Sequence, residues 1–362
     1  MKKHARSILR ILLLVSVWRW GLVAVEYIAV YLWGLRATYL GLYGWANFDG
    51  VHYASIARAG YGVIQHAFFP VYPLLLRIVS QHAHLSAEMA GMLISYISTA
   101  SALCLFYLLF AETNGRKALR AVYFLLLFPT GFYLTAVYTE GLFFLLSVAV
   151  FYAASRKRWL IAGIIGGIAS ATRPYGVLLF PAMLIEYAAT TRKKTLHDYG
   201  SLLLIPAGLV SYMVYLNRLI GDPFAFIHAL PAFGTGRETE LILLPQVMWR
   251  YIKIFMTVNP TDYVYAIALL EFFVLILFFA LLVQAYISRM KVSFIVYSAG
   301  IILIPALTGT LTSLPRYILS AFPLFFVLAS MDNKYVRLLT LLVFSTGLIV
   351  YTSAFLRGHF VA

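Results

Sequence analysis

The polar positions of the chain divide it into long apolar runs punctuated by short basic clusters. The clusters are Lys2/Lys3/Arg6/Arg10, Arg116/Lys117/Arg120, Arg156/Lys157/Arg158, Arg192/Lys193/Lys194, Arg289/Lys291 and Lys334/Arg337. Residues 8–33, 88–110, 200–217, 263–287 and 336–355 read as single spans, since about 20 mainly apolar residues cross a bilayer as one helix. Residues 121–154, 159–190 and 292–330 are too long for one crossing. At 1.5 Å per residue the first of them would make about 50 Å of helix, against about 30 Å of hydrocarbon. Both ends of each stretch are basic, so each goes out and comes back. Near its middle each also carries helix-breaking chemistry: Pro129-Thr130-Gly131, Thr172-Arg173-Pro174-Tyr175-Gly176 and Leu314-Pro315-Arg316. The pattern predicts three helical hairpins with their elbows on one side. Their legs are short, so the elbows stop below the outer surface, where non-helical backbone needs a cover of protein or a cavity.

These spans and hairpins predict an all-α integral membrane protein: a single polytopic domain over residues 1–362, a bundle of about 11 transmembrane helices. The six clusters hold 17 of the 28 basic residues, a bias that places them in the cytoplasm by the positive-inside rule. The N-terminus is then inside and the C-terminus outside. The opening Met1-Lys2-Lys3-His4-Ala5-Arg6 leads into an apolar stretch with no small-residue cleavage site, and reads as a retained first helix rather than a signal peptide. Two outer loops are long, residues 34–87 and 218–262, and long loops in a compact protein are usually functional.

Composition sharpens this picture. Of 362 residues, 62% are hydrophobic and 11% charged, with a mean hydropathy of +0.88. Soluble domains are nearer half apolar and a quarter charged, so a soluble enzyme, a disordered tail and a fibrous protein are excluded. The long unalternating runs exclude an outer-membrane barrel. A net charge of +15 would suggest nucleic acid in a soluble protein. Here it reads as orientation charge plus any anionic ligand, and no nucleic-acid partner is expected. Cys104 is the single cysteine, which leaves no disulfide framework and no cysteine metal cluster. No metal site and no cofactor are expected.

The informative groups are the polar ones, because each costs free energy in lipid unless it is paired or wet. Asp49 lies just past the first span and is the one acid between Glu26 and Glu88. It could cap a short helix or serve as a catalytic base. His52, three residues on, shares its helical face and is either structural or a substrate contact. The segment around them would lie along the membrane interface on its apolar face. Arg173 and Arg316 each sit at an elbow beside a proline, either snorkelling to water or holding an anion. Glu140, in the stretch of the first elbow, could pair with one of these arginines or contact a substrate. Arg19 and Glu26 share the first span. Glu238, Glu240 and Asp262 read as solvated loop acids.

Several short motifs occur together in order. They are Phe48-Asp49-xx-His52-Tyr53-xx-Ile56-Ala57-xx-Gly60-Tyr61 and Ala67-Phe68-Phe69-Pro70-Val71-Tyr72-Pro73-Leu74-Leu75. Phe128-Pro129, Tyr138-Thr139-Glu140, Ala171-Thr172-Arg173, Pro315-Arg316-Tyr317 and the ending Arg357-Gly358-His359-Phe360-Val361-Ala362 follow. This series resembles the PIG-V family, that of GPI mannosyltransferase II and its prokaryotic relatives, which have the GT-C glycosyltransferase fold. The family usually carries Trp directly before the loop aspartate, where this chain has Phe48.

The resemblance implies an inverting mannosyltransferase that moves mannose from a polyprenyl-phosphate donor to a glycolipid or glycan acceptor. It implies a reaction on the outer face, and the short chain favours a prokaryotic cytoplasmic membrane over the endoplasmic reticulum. Such a reaction needs a base for the acceptor hydroxyl and cations against the departing phosphate. Asp49 would supply the first; Arg316 and Arg173 would supply the second, with His52 and Glu140 as further substrate contacts. A transporter or flippase of sugar lipids, and the same enzyme with another sugar donor, are the competing readings.

Overall fold

The computed structural model describes residues 4–33, 41–191, 195–234, 236–238 and 240–361. The Arg192/Lys193/Lys194 cluster, Lys2, Lys3 and the start of the first long loop lie outside the described residues. Every regular element among those described is helical. In chain order they begin with α1 (Ala5–Trp33), α2 (Asp49–Ala59), α3 (Val71–Ala83), α4 (Ala87–Leu127) and α5 (Glu140–Ser155). Next come α6 (Trp159–Ser170), α7 (Leu179–Thr190), α8 (Leu196–Leu202), α9 (Leu204–Ile220), α10 (Ala225–His228) and α11 (Leu244–Thr257). The last are α12 (Tyr263–Ile287), α13 (Val292–Ala306), α14 (Leu314–Tyr317), α15 (Pro323–Leu328) and α16 (Lys334–Leu356).

Five segments among the described residues are long and apolar enough to cross a membrane: Ala5–Ala29, Ala87–Leu127, Leu196–Ile220, Tyr263–Ile287 and Lys334–Leu356. Each overlaps one of the five single spans that the hydrophobic pattern predicts. The protein is therefore membrane-embedded and helical. The legs of the three broken stretches are shorter, such as the 12 residues of α6, about 18 Å of helix. Inside the bundle α6 packs against α5 and α9, and α7 against α13, rather than α6 and α7 against each other.

The chain reverses between the 88–110 span and the first hairpin, beside the basic cluster at 116–120, at a break within α4. Asn114 leaves the helical region at φ −163° and ψ 102°. Its Oδ1 accepts from the Lys117 N–H at 3.0 Å, capping the returning arm. Tyr107 lies against Gly115, and Thr99 Oγ1 donates to the Leu134 carbonyl at 2.5 Å. Residues 115–127 therefore run back along 87–113. The turn falls at Asn114-Gly115, a common turn pair, beside the basic cluster that separates the two apolar stretches.

Packing between helices relies on small residues where backbones meet, as expected where lipid removes the hydrophobic drive between apolar helices. Any side chain at Gly208 on α9 would overlap the Gly167 carbonyl of α6. The aromatic core runs through Phe106, Phe124, Phe128, Phe132 and Phe322, all fully buried. Helix α2 buries Tyr53, Ala54, Ile56 and Ala57 in a cluster with Tyr72 and Leu76 of α3 and Val137 of the first elbow. One face of this segment packs against protein, where its small Ala54 and Ala57 admit a close neighbour.

Candidate active site

The loop leading to Asp49 is tied down on three sides. The Trp45 indole N–H donates to Glu26 Oε2 at 2.9 Å, and the Arg19 guanidinium stacks 4.1 Å above the same ring. The two charges of the first span thus meet around one loop tryptophan. The Val137 N–H donates to the Trp45 carbonyl at 3.0 Å, and the Tyr138 hydroxyl donates to Asn47 O at 2.8 Å. Asn47 Nδ2 in turn donates to Phe355 O at 2.9 Å. Phe48 then adopts φ +56°, an uncommon conformation for a bulky residue. Its ring is held by Phe355 and Phe360 at centroid distances of 5.9 and 5.3 Å. Backbone strain persists only where the surroundings over-determine it, and it clusters at functional sites. Here it fixes the residue immediately before Asp49.

The three elbows converge on that point. Thr130 Oγ1 donates to the Pro315 carbonyl at 2.7 Å, joining the first elbow to the third. The Val71 N–H reaches the Ala171 carbonyl at 3.4 Å, joining the first loop to the second elbow. Arg316, at the third elbow, places Nη1 2.6 Å from Asp49 Oδ2 and Nε 3.8 Å from Glu140 Oε1. Arg173 Nη1 stands 3.0 Å from the same Glu140 oxygen. Behind Glu140, any side chain at Gly141 would press on Leu134 O and Ser95 O, so close packing fixes where the carboxylate emerges. The side chain of Asp49 does not cap α2; it is committed to Arg316. The exposures separate the two acids. Asp49 keeps 24% of its side-chain surface, whereas Glu140 keeps 1% between its two arginines.

A third arginine belongs to this cluster. Arg237, from the second long loop, donates through Nη2 to the Thr312 carbonyl and to the Tyr317 hydroxyl, both at 2.9 Å. Arg173, Arg316 and Arg237 lie 4.6, 5.3 and 5.5 Å from the Tyr317 ring centre. Burial raises the pKa of the Tyr317 hydroxyl, but Arg237, Arg316 and Arg173 outweigh it and hold the group below its ordinary value. Three guanidinium groups thus face two carboxylates. Glu140 Oε1 and Oε2, Arg173 Nη1, Arg316 Nε and Arg237 Nε are all buried without a hydrogen bond. Such groups are rare in native proteins and call for an explanation. Asp49 and the three arginines line a cavity of about 520 Å³, within the usual size range for ligand sites.

The cavity has a second, apolar character. Phe68, Phe226, Phe233, Leu241, Ile304 and Leu307 line it. Of these, Ile304 keeps 43% and Leu241 70% of its surface exposed, so the apolar wall continues onto the outside of the bundle.

Asp49, Arg316, Arg173 and Glu140 are therefore brought together; His52 is set apart. Its ring stacks on Phe68 at 4.9 Å and meets Phe233 edge-on at 5.6 Å, with Gln65 Nε2 3.4 Å from Nδ1. Burial lowers its pKa, with Asp49 pulling the other way, so near neutral pH it is an uncharged hydrogen-bonding group. Arg237 and Tyr317 are the members that sequence reasoning passes over. Arg237 looks like one more solvated charge beside Glu238 and Glu240, and the signal that it is not lies in the loop's anchoring. The Glu238 and Ile242 N–H groups donate to Thr308 O and Leu307 O, both at 2.9 Å, and Arg250 Nη2 holds Glu238 at 2.6 Å. Among the described residues no group of three or more His, Cys, Asp or Glu side chains gathers as a metal centre would require. Compared with known proteins, the chain matches no family model and no curated sequence.

Proposed function

We propose that the protein is an integral-membrane glycosyltransferase of the PIG-V type, moving a mannosyl residue from a polyprenyl-phosphate donor to a glycolipid or glycan acceptor on the outer face. The observation that carries this reading is the Asp49–Arg316 contact of 2.6 Å in the wall of a cavity with two further arginines. A cavity with cations at its base and an apolar wall leading outward fits a ligand that is phosphate at one end and hydrocarbon along its length. Guanidinium groups suit the phosphate, since they grip its oxygens in two-pronged fashion and stay charged.

The chemistry follows from the geometry. Donor phosphate competes with the carboxylates for Arg316 and Arg173, and on binding it takes up Arg237 Nε, which is buried without a hydrogen bond. The Asp49 carboxylate, released toward the cavity, accepts the proton of the acceptor hydroxyl. The acceptor oxygen bonds to the anomeric carbon as the bond from that carbon to the phosphate oxygen breaks. The leaving phosphate carries the electron pair into the field of Arg316, Arg173 and Arg237. A single displacement inverts the anomeric carbon. Glu140 is buried, Glu238 and Glu240 line the loop side of the cavity, and Asp49 is the lining acid that stands against Arg316.

The test is incubation of purified protein with polyprenyl-phosphate-mannose and, separately, with the glucose analogue. Release of polyprenyl phosphate with transfer of mannose supports the proposal, and preference for glucose revises the sugar alone. Movement of intact donor across a vesicle membrane without cleavage would favour a flippase instead.

A further inference from the structure

The largest cavity described, about 970 Å³, lies at the opposite end of the bundle from the arginine cluster. Its floor is aromatic: Phe110 stacks on Phe326 at 4.5 Å and meets Phe294 at 5.4 Å. Its rim is basic, formed by Lys117, Arg156, Lys157, Arg289 and Lys291. Arg156 has Glu112 at 3.5 Å and Lys291 has Glu186 at 2.5 Å. Lys117, Lys157 and Arg289 have no ion-pair partner among the described residues.

Backbone strain singles out two of these three. Lys157, in the turn between α5 and α6, has φ +57°, and Arg289, in the turn between α12 and α13, has φ +55°. Glycine is the default in this region, and a basic side chain there adds strain that glycine would relieve. Two separate turns carry the same uncommon choice on the rim of one cavity, which gives the cations a reason beyond chain reversal.

We infer that this cavity binds an anionic phospholipid, with the lipid phosphate held between Lys157 and Arg289 and an acyl chain over the phenylalanine floor. Charge complementarity selects the headgroup, and basic pockets between membrane helices at the cytoplasmic end are suited to anionic lipids. The site is independent of the chemistry proposed at Asp49.

The experiment measures thermal unfolding of the purified full chain in micelles doped with phosphatidylglycerol or with phosphatidylcholine. Phosphatidylglycerol should raise the melting temperature by about 2–5 °C more than phosphatidylcholine, as expected for a ligand well above its dissociation constant. Inorganic phosphate at the same phosphorus concentration should leave it unchanged. The Lys157→Gly/Arg289→Gly variant relieves both strained turns, so it should fold at least as well as the parent yet lose the phosphatidylglycerol response. Lys157→Gln/Arg289→Gln, which keeps a polar side chain but removes the charge, should lose it too. Equal stabilisation by both lipids, an equal shift with inorganic phosphate, or a response retained by the glycine variant would each overturn the assignment.

Discussion

The two ends of the bundle use cations in opposite ways. At one end Arg173 and Arg316 are buried and met by carboxylates at 2.6–3.8 Å, and both converge with the half-buried Arg237 on a single tyrosine ring. At the other, Arg156 and Lys291 keep 52% and 54% of their side-chain surface, and their neighbours stand alone. A buried charge persists only when partners and geometry offset its desolvation, whereas a rim cation costs little to hold there. The first arrangement is built from elbows and loops tied together by hydrogen bonds; the second is where turns end. Preorganised charge in a cavity is what transition-state stabilisation requires, and loosely held charge at a membrane edge is what orientation and lipid contact require.

The largest separation between the two ends should appear in stability. Arg316→Ala strands Asp49 without its cation, leaves Glu140 with Arg173 alone, and should destabilise the protein by about 3–5 kcal/mol, the usual cost of breaking a buried pair. Glu112→Ala removes the exposed partner of Arg156 and should cost less than about 1 kcal/mol. Thermal unfolding of both variants in one detergent checks this, and equal shifts would erase the contrast.

A second effect separates charge from shape. Arg316→Lys keeps the cation but loses the two-pronged grip, so donor efficiency should fall about 10- to 150-fold, the equivalent of a charge-assisted contact worth about 1.5–3 kcal/mol. Turnover like the parent's would make Arg316 a structural residue. Arg237→Gln should act more gently, raising donor KM about tenfold with a smaller change in kcat, because Arg237 reaches the cluster through Tyr317 and Thr312. Steady-state kinetics over a range of donor concentrations separates the two parameters.

Much of this organisation is legible along the chain. The five single spans stand out because lipid imposes a length rule on apolar runs, and the three elbows because proline and glycine interrupt helices. The approach of Asp49 to Arg316 is foreshadowed by topology alone, since the basic clusters put every elbow on the side of the first loop. Other features are carried by tertiary contacts with no local signal. Arg237 is drawn into the site by the anchoring of its loop on Leu307 and Thr308. The packing of α2 against α3 and the first elbow depends on small residues meeting across space.

The smallest effect concerns pH. His52 is a histidine whose pKa burial lowers, so the folded state binds fewer protons than the unfolded chain. Its contribution is present in full above the unfolded value near 6.5 and is lost as pH falls below it. His52→Gln should make the decline in stability from about pH 7 to 5 less steep, as read from melting temperatures across that range. An unchanged slope would remove His52 from the pH response.

The most direct test is mannosyl transfer by Asp49→Asn protein measured beside its affinity for polyprenyl-phosphate-mannose. The amide keeps the size of the carboxylate but cannot take the acceptor's proton. Folding should be retained, donor binding should be equal or tighter because Arg316 is freed, and transfer should fall about 10²–10⁴-fold. Transfer within a few-fold of the parent, in protein that folds and binds donor, would contradict the role of Asp49 as the base.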